Sequence, residues 1–250
     1  MSRSSAPPLL ALAVLLALVA CKKEESDTPA PQGGNSTGNT TPSTTPRFAD
    51  ADGVMAAVRA FTSQSTPLGT IDIIVGTASA AFSNDGFSSF VGVGGVTCNG
   101  EALAAQSNST YAYVPPASNP TGIDLTASNE VTWSVGGGNS FPAFTRTIMG
   151  PFPGVDAITS DGTVVRANGY TLSTSGVANA DSVIFTLGSL IRVLPGTATS
   201  CSFTAAELAG QSAGTSIAQI VGYRFVDETI GGKKIYFVKQ ASRSRSITFQ

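Results

Sequence analysis

Turn signals recur about every ten residues from residue 50 onward, and the apolar runs between them are too short for helices of ordinary length. Five dipeptides suited to positive φ mark the reversals: Asp52-Gly53, Asp85-Gly86, Asn99-Gly100, Asp161-Gly162 and Asn168-Gly169. Between them lie β-branched or aromatic runs with a period of two, at Thr70–Val75, Val131–Val135, Ser182–Leu187, Ile217–Val226 and Ile235–Lys239. In the second of these, Val131, Trp133 and Val135 alternate with Thr132 and Ser134, which predicts a strand with one apolar face and a buried tryptophan. Val54–Ala60 has some helical character, but Gly53 and the β-branched residues favour a strand. One short helical turn is expected where Thr204 precedes Glu207 by three residues, the spacing of a capping box.

This pattern predicts an all-β chain of sandwich or barrel type. Gly150-Pro151-Phe152-Pro153-Gly154 is the sharpest break and divides the folded part into residues 47–150 and 151–250, each the size of an immunoglobulin-like β-sandwich. Two such sandwiches in tandem are expected, with one larger sandwich as the alternative.

Composition removes several classes of function. Charged residues make up 12% of the chain, about half the usual share, so no nucleic-acid partner is expected. There is no histidine, which excludes histidine-based general-base catalysis and removes the commonest zinc ligand. Gly210-Gln211-Ser212-Ala213-Gly214 fits the nucleophile-elbow spacing but has neither a histidine base nor a long following helix, so it reads as a small-residue loop. Asp50 and Asp52 offer two oxygens near a turn, short of the ligand set of a calcium loop. No catalytic residues, metal or cofactor are expected.

The N-terminus carries an address. Arg3 precedes the apolar run Leu9–Ala20, too short to cross a bilayer as a helix. The run ends in Leu18-Val19-Ala20-Cys21, which resembles the lipobox of bacterial lipoprotein precursors. The resemblance implies a signal peptide over residues 1–20 and acylation of Cys21, whose fatty chains (palmitate among them) would anchor the protein to a membrane. Lys22-Lys23-Glu24-Glu25-Ser26 is similar to the tag that directs Bacteroidota-type lipoproteins to the cell surface, which implies a lipid-anchored location on the outer membrane. Residues 21–46 form the acylated cysteine and a Ser/Thr/Pro/Gly-rich linker with no apolar periodicity. The chain thus resembles surface-exported β-rich lipoproteins, a resemblance limited to its export region and strand content.

Cys98 and Cys201 remain after Cys21 is acylated. A disulfide between them would close a loop of about 100 residues, worth about 4.7 kcal/mol in the chain-entropy model; the alternative is two buried thiols. Tyr111 and Tyr113 point the same way on a short strand before Pro115-Pro116 and are the candidate ligand-binding residues, as rings able to stack on sugar faces. The C-terminal segment from Arg224 carries a net charge of +4, and Arg243 and Arg245 alternate with serines as on an exposed edge strand. The function expected is a non-enzymatic binding or assembly module whose partner is a glycan or another surface protein. The alternatives are a polysaccharide hydrolase using two carboxylates, which needs two acids converging in a cleft, and a structural spacer.

Overall fold

The computed structural model describes residues 50–66 and 69–250. The signal peptide expected at 1–20, the acylation expected at Cys21 and the linker expected at 21–46 lie outside the described residues. The described residues fall in one compact unit, and the protein is all-β, with its helical elements among the described residues being α1 (Ala205–Leu208) and a 3-10 turn at Arg166–Asn168.

The first part of the chain supplies β1 (Gly53–Thr66), β2 (Gly69–Phe82), β3 (Val96–Cys98), β4 (Glu101–Ala105), β5 (Tyr111–Tyr113), β6 (Val131–Val135) and β7 (Phe144–Ile148). The second supplies β8 (Gly154–Val155), β9 (Thr163–Val164), β10 (Tyr170–Ser173), β11 (Val177–Ala178), β12 (Ser182–Leu187), β13 (Leu190–Pro195), β14 (Ser200–Phe203), β15 (Gly214–Ile230) and β16 (Lys233–Phe249). Among the described residues, one twelve-stranded sheet runs in the order β13-β12-β15-β16-β1-β2-β5-β4-β3-β6-β7, with β9 alongside the end of β16. The period-two runs Val131–Val135 and Ser182–Leu187 coincide with β6 and β12, and Val54–Ala60, where Gly53 and the β-branched residues favour a strand, falls within β1. The expected capping box is present: the Glu207 N–H donates to the Thr204 hydroxyl, and the Thr204 N–H donates to the Glu207 carboxylate.

Turn chemistry follows the sequence only in part. Asn99-Gly100 closes the β3–β4 hairpin with both residues at positive φ, 49° and 84°, as a type I′ turn requires. The β15–β16 hairpin uses Gly231-Gly232 in the same way, at 58° and 81°. Asp161-Gly162 and Asn168-Gly169 close no hairpin; they border β9 and the 3-10 turn.

Two buried clusters fill the molecule. The first gathers Met55, Phe82, Cys98, Trp133, Phe144, Ile235 and Phe237 among others, so Trp133 is the core residue its strand predicted. The second gathers Leu172, Phe185, Leu187, Phe203, Ile220, Ala241, Ile247 and Phe249 among others. β16 serves both: Ile235 and Phe237 enter the first, and Ala241, Ile247 and Phe249 enter the second. Odd-numbered residues share one side of a strand, so Lys239 stands on this same side, between Phe237 and Ala241.

Lys239 is buried at the seam between the two clusters, 4% exposed. Its ammonium donates to four main-chain carbonyls, of Asn129 at 2.5 Å, Ile148 at 2.9 Å, Met149 at 3.2 Å and Gly150 at 2.7 Å. Phe152, also buried, lies under the Arg59 guanidinium at 3.8 Å and 5.3 Å from the Lys239 ammonium. The Gly150–Gly154 break is therefore a pinned connector. Space for it comes from Gly222, opposite Ala241, where an added Cβ would meet Pro153 and Val155 at 3.1 Å.

The C-terminal strand corrects one expectation. β16 is no free edge: β15 pairs along its whole length, and β1 lies on its other side from Ile235 to Arg243. The Arg–Ser alternation has a different cause. Arg243 lies over Phe61 at 4.6 Å and donates to the Val155 carbonyl at 2.7 Å, and Arg245 donates to the Ser160 carbonyl. Both arginines fasten the chain that runs over the sheet.

Burial, with Arg224 and Arg59 nearby, pushes Lys239 down to about 8. Replacing it (Lys239→Met) strands four carbonyls and is expected to cost about 3–5 kcal/mol in urea unfolding. Between pH 8 and the free-lysine value of about 10.4, the unfolded chain binds the proton that the folded chain has released, so stability rises with pH. The gap between wild type and Lys239→Met should thus widen from pH 7.5 to pH 10; a constant gap would show that Lys239 does not titrate in this window.

Candidate functional site

A cleft of about 380 Å³ opens beside β10, lined by Thr159, Ser160, Asp161, Thr163, Val165, Asn168, Gly169, Tyr170 and Thr171. Two of the sequence's turn dipeptides form its lips. Asp161-Gly162 leads into β9, which docks parallel to β16 through Thr163 and Thr248. Asn168-Gly169 ends the 3-10 turn, with Gly169 at φ +73°, where a Cβ would lie 3.0 Å from the Phe203 carbonyl. Tyr170 follows directly and pairs with Phe203 across β10 and β14.

The walls are held by hydrogen bonds. The Tyr170 hydroxyl donates to the Asp161 carbonyl at 2.5 Å, setting the ring across the cleft between the two lips. Partial burial of the ring raises the phenol above its ordinary value. The Ser160 hydroxyl accepts the Ser173 N–H, and the hydroxyls of Thr159 and Ser173 pair at 2.9 Å, as do those of Thr171 and Ser202. Arg166 donates to the carbonyls of Gln211 at 2.6 Å and Gln250 at 3.1 Å. By contrast, the Asp161 carboxylate, the Asn168 amide and the Thr163 hydroxyl make no side-chain hydrogen bond among the described residues, and all three residues are exposed. The cleft thus offers an acceptor, a mixed donor and acceptor, and a hydroxyl beside one aromatic ring.

The residues singled out in the sequence lie elsewhere. Tyr111 and Tyr113 do point the same way, but inward, at 4% and 8% exposure in the first cluster. The Tyr111 hydroxyl accepts the Val93 N–H at 2.7 Å, and its ring meets Phe82 edge-on at 6.2 Å. One buried partner satisfies a tyrosine hydroxyl, so such a pair is not bound to the surface. Cys98 and Cys201 are both buried and free, in the first and second cluster respectively, so the disulfide is not formed. Each is held as a thiol by its own core; burial pushes Cys98 up to about 12 and raises Cys201.

Asp50 and Asp52 are engaged by the β15–β16 hairpin. Asp52 takes the Lys234 N–H at 2.8 Å and the Lys233 ammonium at 3.2 Å, and Asp50 takes the Lys234 ammonium at 2.8 Å and the Tyr236 hydroxyl at 3.0 Å. They clamp the start of β1 to the tip of that hairpin. Ser212 of the Gly-x-Ser-x-Gly stretch is exposed between α1 and β15, and neighbouring Gln211 bonds Ser189. Two-carboxylate hydrolysis needs a pair of acids, and Asp161 is the single acid lining the cleft.

The cleft's sequence signal was the seven-residue interval between Asp161-Gly162 and Asn168-Gly169, with Tyr170 next. Read as hairpin turns, these dipeptides hid it.

No family model matches the chain, and no curated protein matches it. A solved structure with some likeness is the Bacteroides ovatus mixed-linkage glucan utilization locus protein SGBP-B in complex with a mixed-linkage heptasaccharide. It is 14% identical with a TM-score of 0.21, over 70% of this chain. The chain spans 41% of that protein's length. Likeness at this level carries neither fold nor function across.

Both thiols should be silent to Ellman's reagent in the native protein and react fully in urea, with no shift between reducing and non-reducing gels. A reduction-dependent shift of the monomer would restore the disulfide.

Proposed function

We propose that this protein is a lipid-anchored, non-enzymatic binding module at the outer membrane surface, which takes glycan in the cleft beside Tyr170. The observation that carries the reading is this cleft: an aromatic ring fixed by its own hydroxyl, next to polar side chains that make no hydrogen bond among the described residues. Sugars present apolar ring faces and arrays of hydroxyls, which such a set matches. Uncommitted polar groups suit a ligand because binding then breaks no bond within the protein. The volume lies at the small end of ligand pockets, enough to seat about one or two sugar rings.

The anchor follows from the Leu18–Cys21 motif and the charged tag behind it. Two or three acyl chains on Cys21 would hold the protein firmly, where one chain alone binds reversibly. The linker at 21–46 would then span about 25–30 Å on average, which sets the cleft clear of the lipid headgroups.

Two experiments test these parts separately. Cells fed a labelled fatty acid should incorporate it into the wild type and not into Cys21→Ser, which should leave the membrane fraction; equal labelling would remove the anchor. On a panel of soluble oligosaccharides and envelope polysaccharides, the wild type should bind saturably, and Tyr170→Ala should weaken binding at least tenfold, about 1.4 kcal/mol. Tyr111→Phe, in the core, should change affinity less than threefold. Binding untouched by Tyr170→Ala would move the site elsewhere.

A further inference from the structure

The geometry points to an uncharged glycan as the ligand of the cleft, with the Asp161 carboxylate acting as the selectivity element that turns away uronate- or sulfate-bearing chains. This rests on the glycan-binding reading above and narrows it to a substrate class.

The argument is one of charge and of how each cation nearby is spent. Asp161 is the one charged side chain lining the cleft, and no lysine or arginine lines it among the described residues. Two guanidinium groups flank it. Arg245, beside Gly162, donates to the Ser160 carbonyl, and Arg166 at the 3-10 turn holds the carbonyls of Gln211 and Gln250. Each is tied to main chain by part of its guanidinium, and neither is among the residues that line the cleft. Recognition of carboxylate or sulfate ordinarily uses an Arg fork or a lysine, and the lining of this cleft holds a carboxylate and neither of these.

The repulsion is large enough to matter. Two like charges in contact near a protein surface repel more strongly than in bulk water, and salt screens that repulsion. A neutral sugar hydroxyl, by contrast, donates to the same carboxylate in a charge-assisted hydrogen bond, which is stronger than one between neutral groups. Asp161 thus favours a hydroxyl at the position where it opposes an acid. Asn168 and Thr163 can each donate or accept, so they read hydroxyls without adding charge.

The test uses the full-length acylated protein in detergent, titrated calorimetrically with neutral hexo-oligosaccharides and with their counterparts carrying a carboxylate at C6. The wild type should prefer the neutral series at least tenfold. Asp161→Asn should reduce that preference below threefold, Asp161→Glu should keep it, and raising the salt from 50 mM to 1 M should shrink it in the wild type. An unchanged urea midpoint for Asp161→Asn would confirm that the fold is intact. Equal or tighter binding of the acidic series by the wild type, or a preference that survives in Asp161→Asn, would overturn the assignment and leave the glycan reading standing. Binding of neither series would overturn both.

Discussion

A single ammonium at the seam of the molecule holds together parts that lie far apart in the chain. Lys239 stands on β16 between the last residue this strand gives to one core and the first it gives to the other, and its donors are shared among Asn129 and Ile148–Gly150. A charge buried there costs several kcal/mol in desolvation, and only full hydrogen bonding makes it tolerable. The carbonyls in turn belong to Asn129, just before β6, and to the end of β7 and the start of the glycine-proline connector, where strand pairing stops. Each side of the contact supplies what the other lacks, so the connector follows one path across the sheet.

The same device recurs along the strand. Arg243 holds the Val155 carbonyl, Arg245 the Ser160 carbonyl and, from β1, Arg59 the Leu125 carbonyl at 2.8 Å. These cations lie on the side of the sheet that carries both cores, where long stems can cover apolar surface while their heads reach main-chain oxygens in irregular segments. The cleft is a product of this arrangement: the segment that Arg245 pins at Ser160 turns at Asp161-Gly162, and its carbonyl then receives Tyr170. A cleft built this way is fastened to the sheet by hydrogen bonds, although most of its lining comes from loops.

Local signals were legible where the physics was local. Val131–Val135 alternates because one face is buried, and that strand has those bounds in the structure. Thr204 and Glu207 cap a helix within four residues, a contact that needs no partner from elsewhere. Tyr111 and Tyr113 were read to the correct common side, but which side meets the core depends on β2 and on Val93, and no rule of spacing contains that. Cys98 and Cys201 take the second of the two readings open to them, buried thiols, and it is the three-dimensional fold that puts them in different clusters.

What the sequence by itself determined is the class: a strand-rich chain with no histidine chemistry and low charge, because period, turn residues and composition are properties of the chain alone. Only the tertiary structure decided that β16 is central rather than an edge, that its Lys239, Arg243 and Arg245 are carbonyl-binding struts, and that Asp161, Asn168 and Tyr170 share one cleft. These outcomes depend on pairings between residues tens to nearly two hundred positions apart, such as Asp52 with Lys234 or Gly53 with Ile235. Such pairings are selected by the joint burial of two cores and the need to satisfy every buried carbonyl, a condition on the whole chain that no short segment carries.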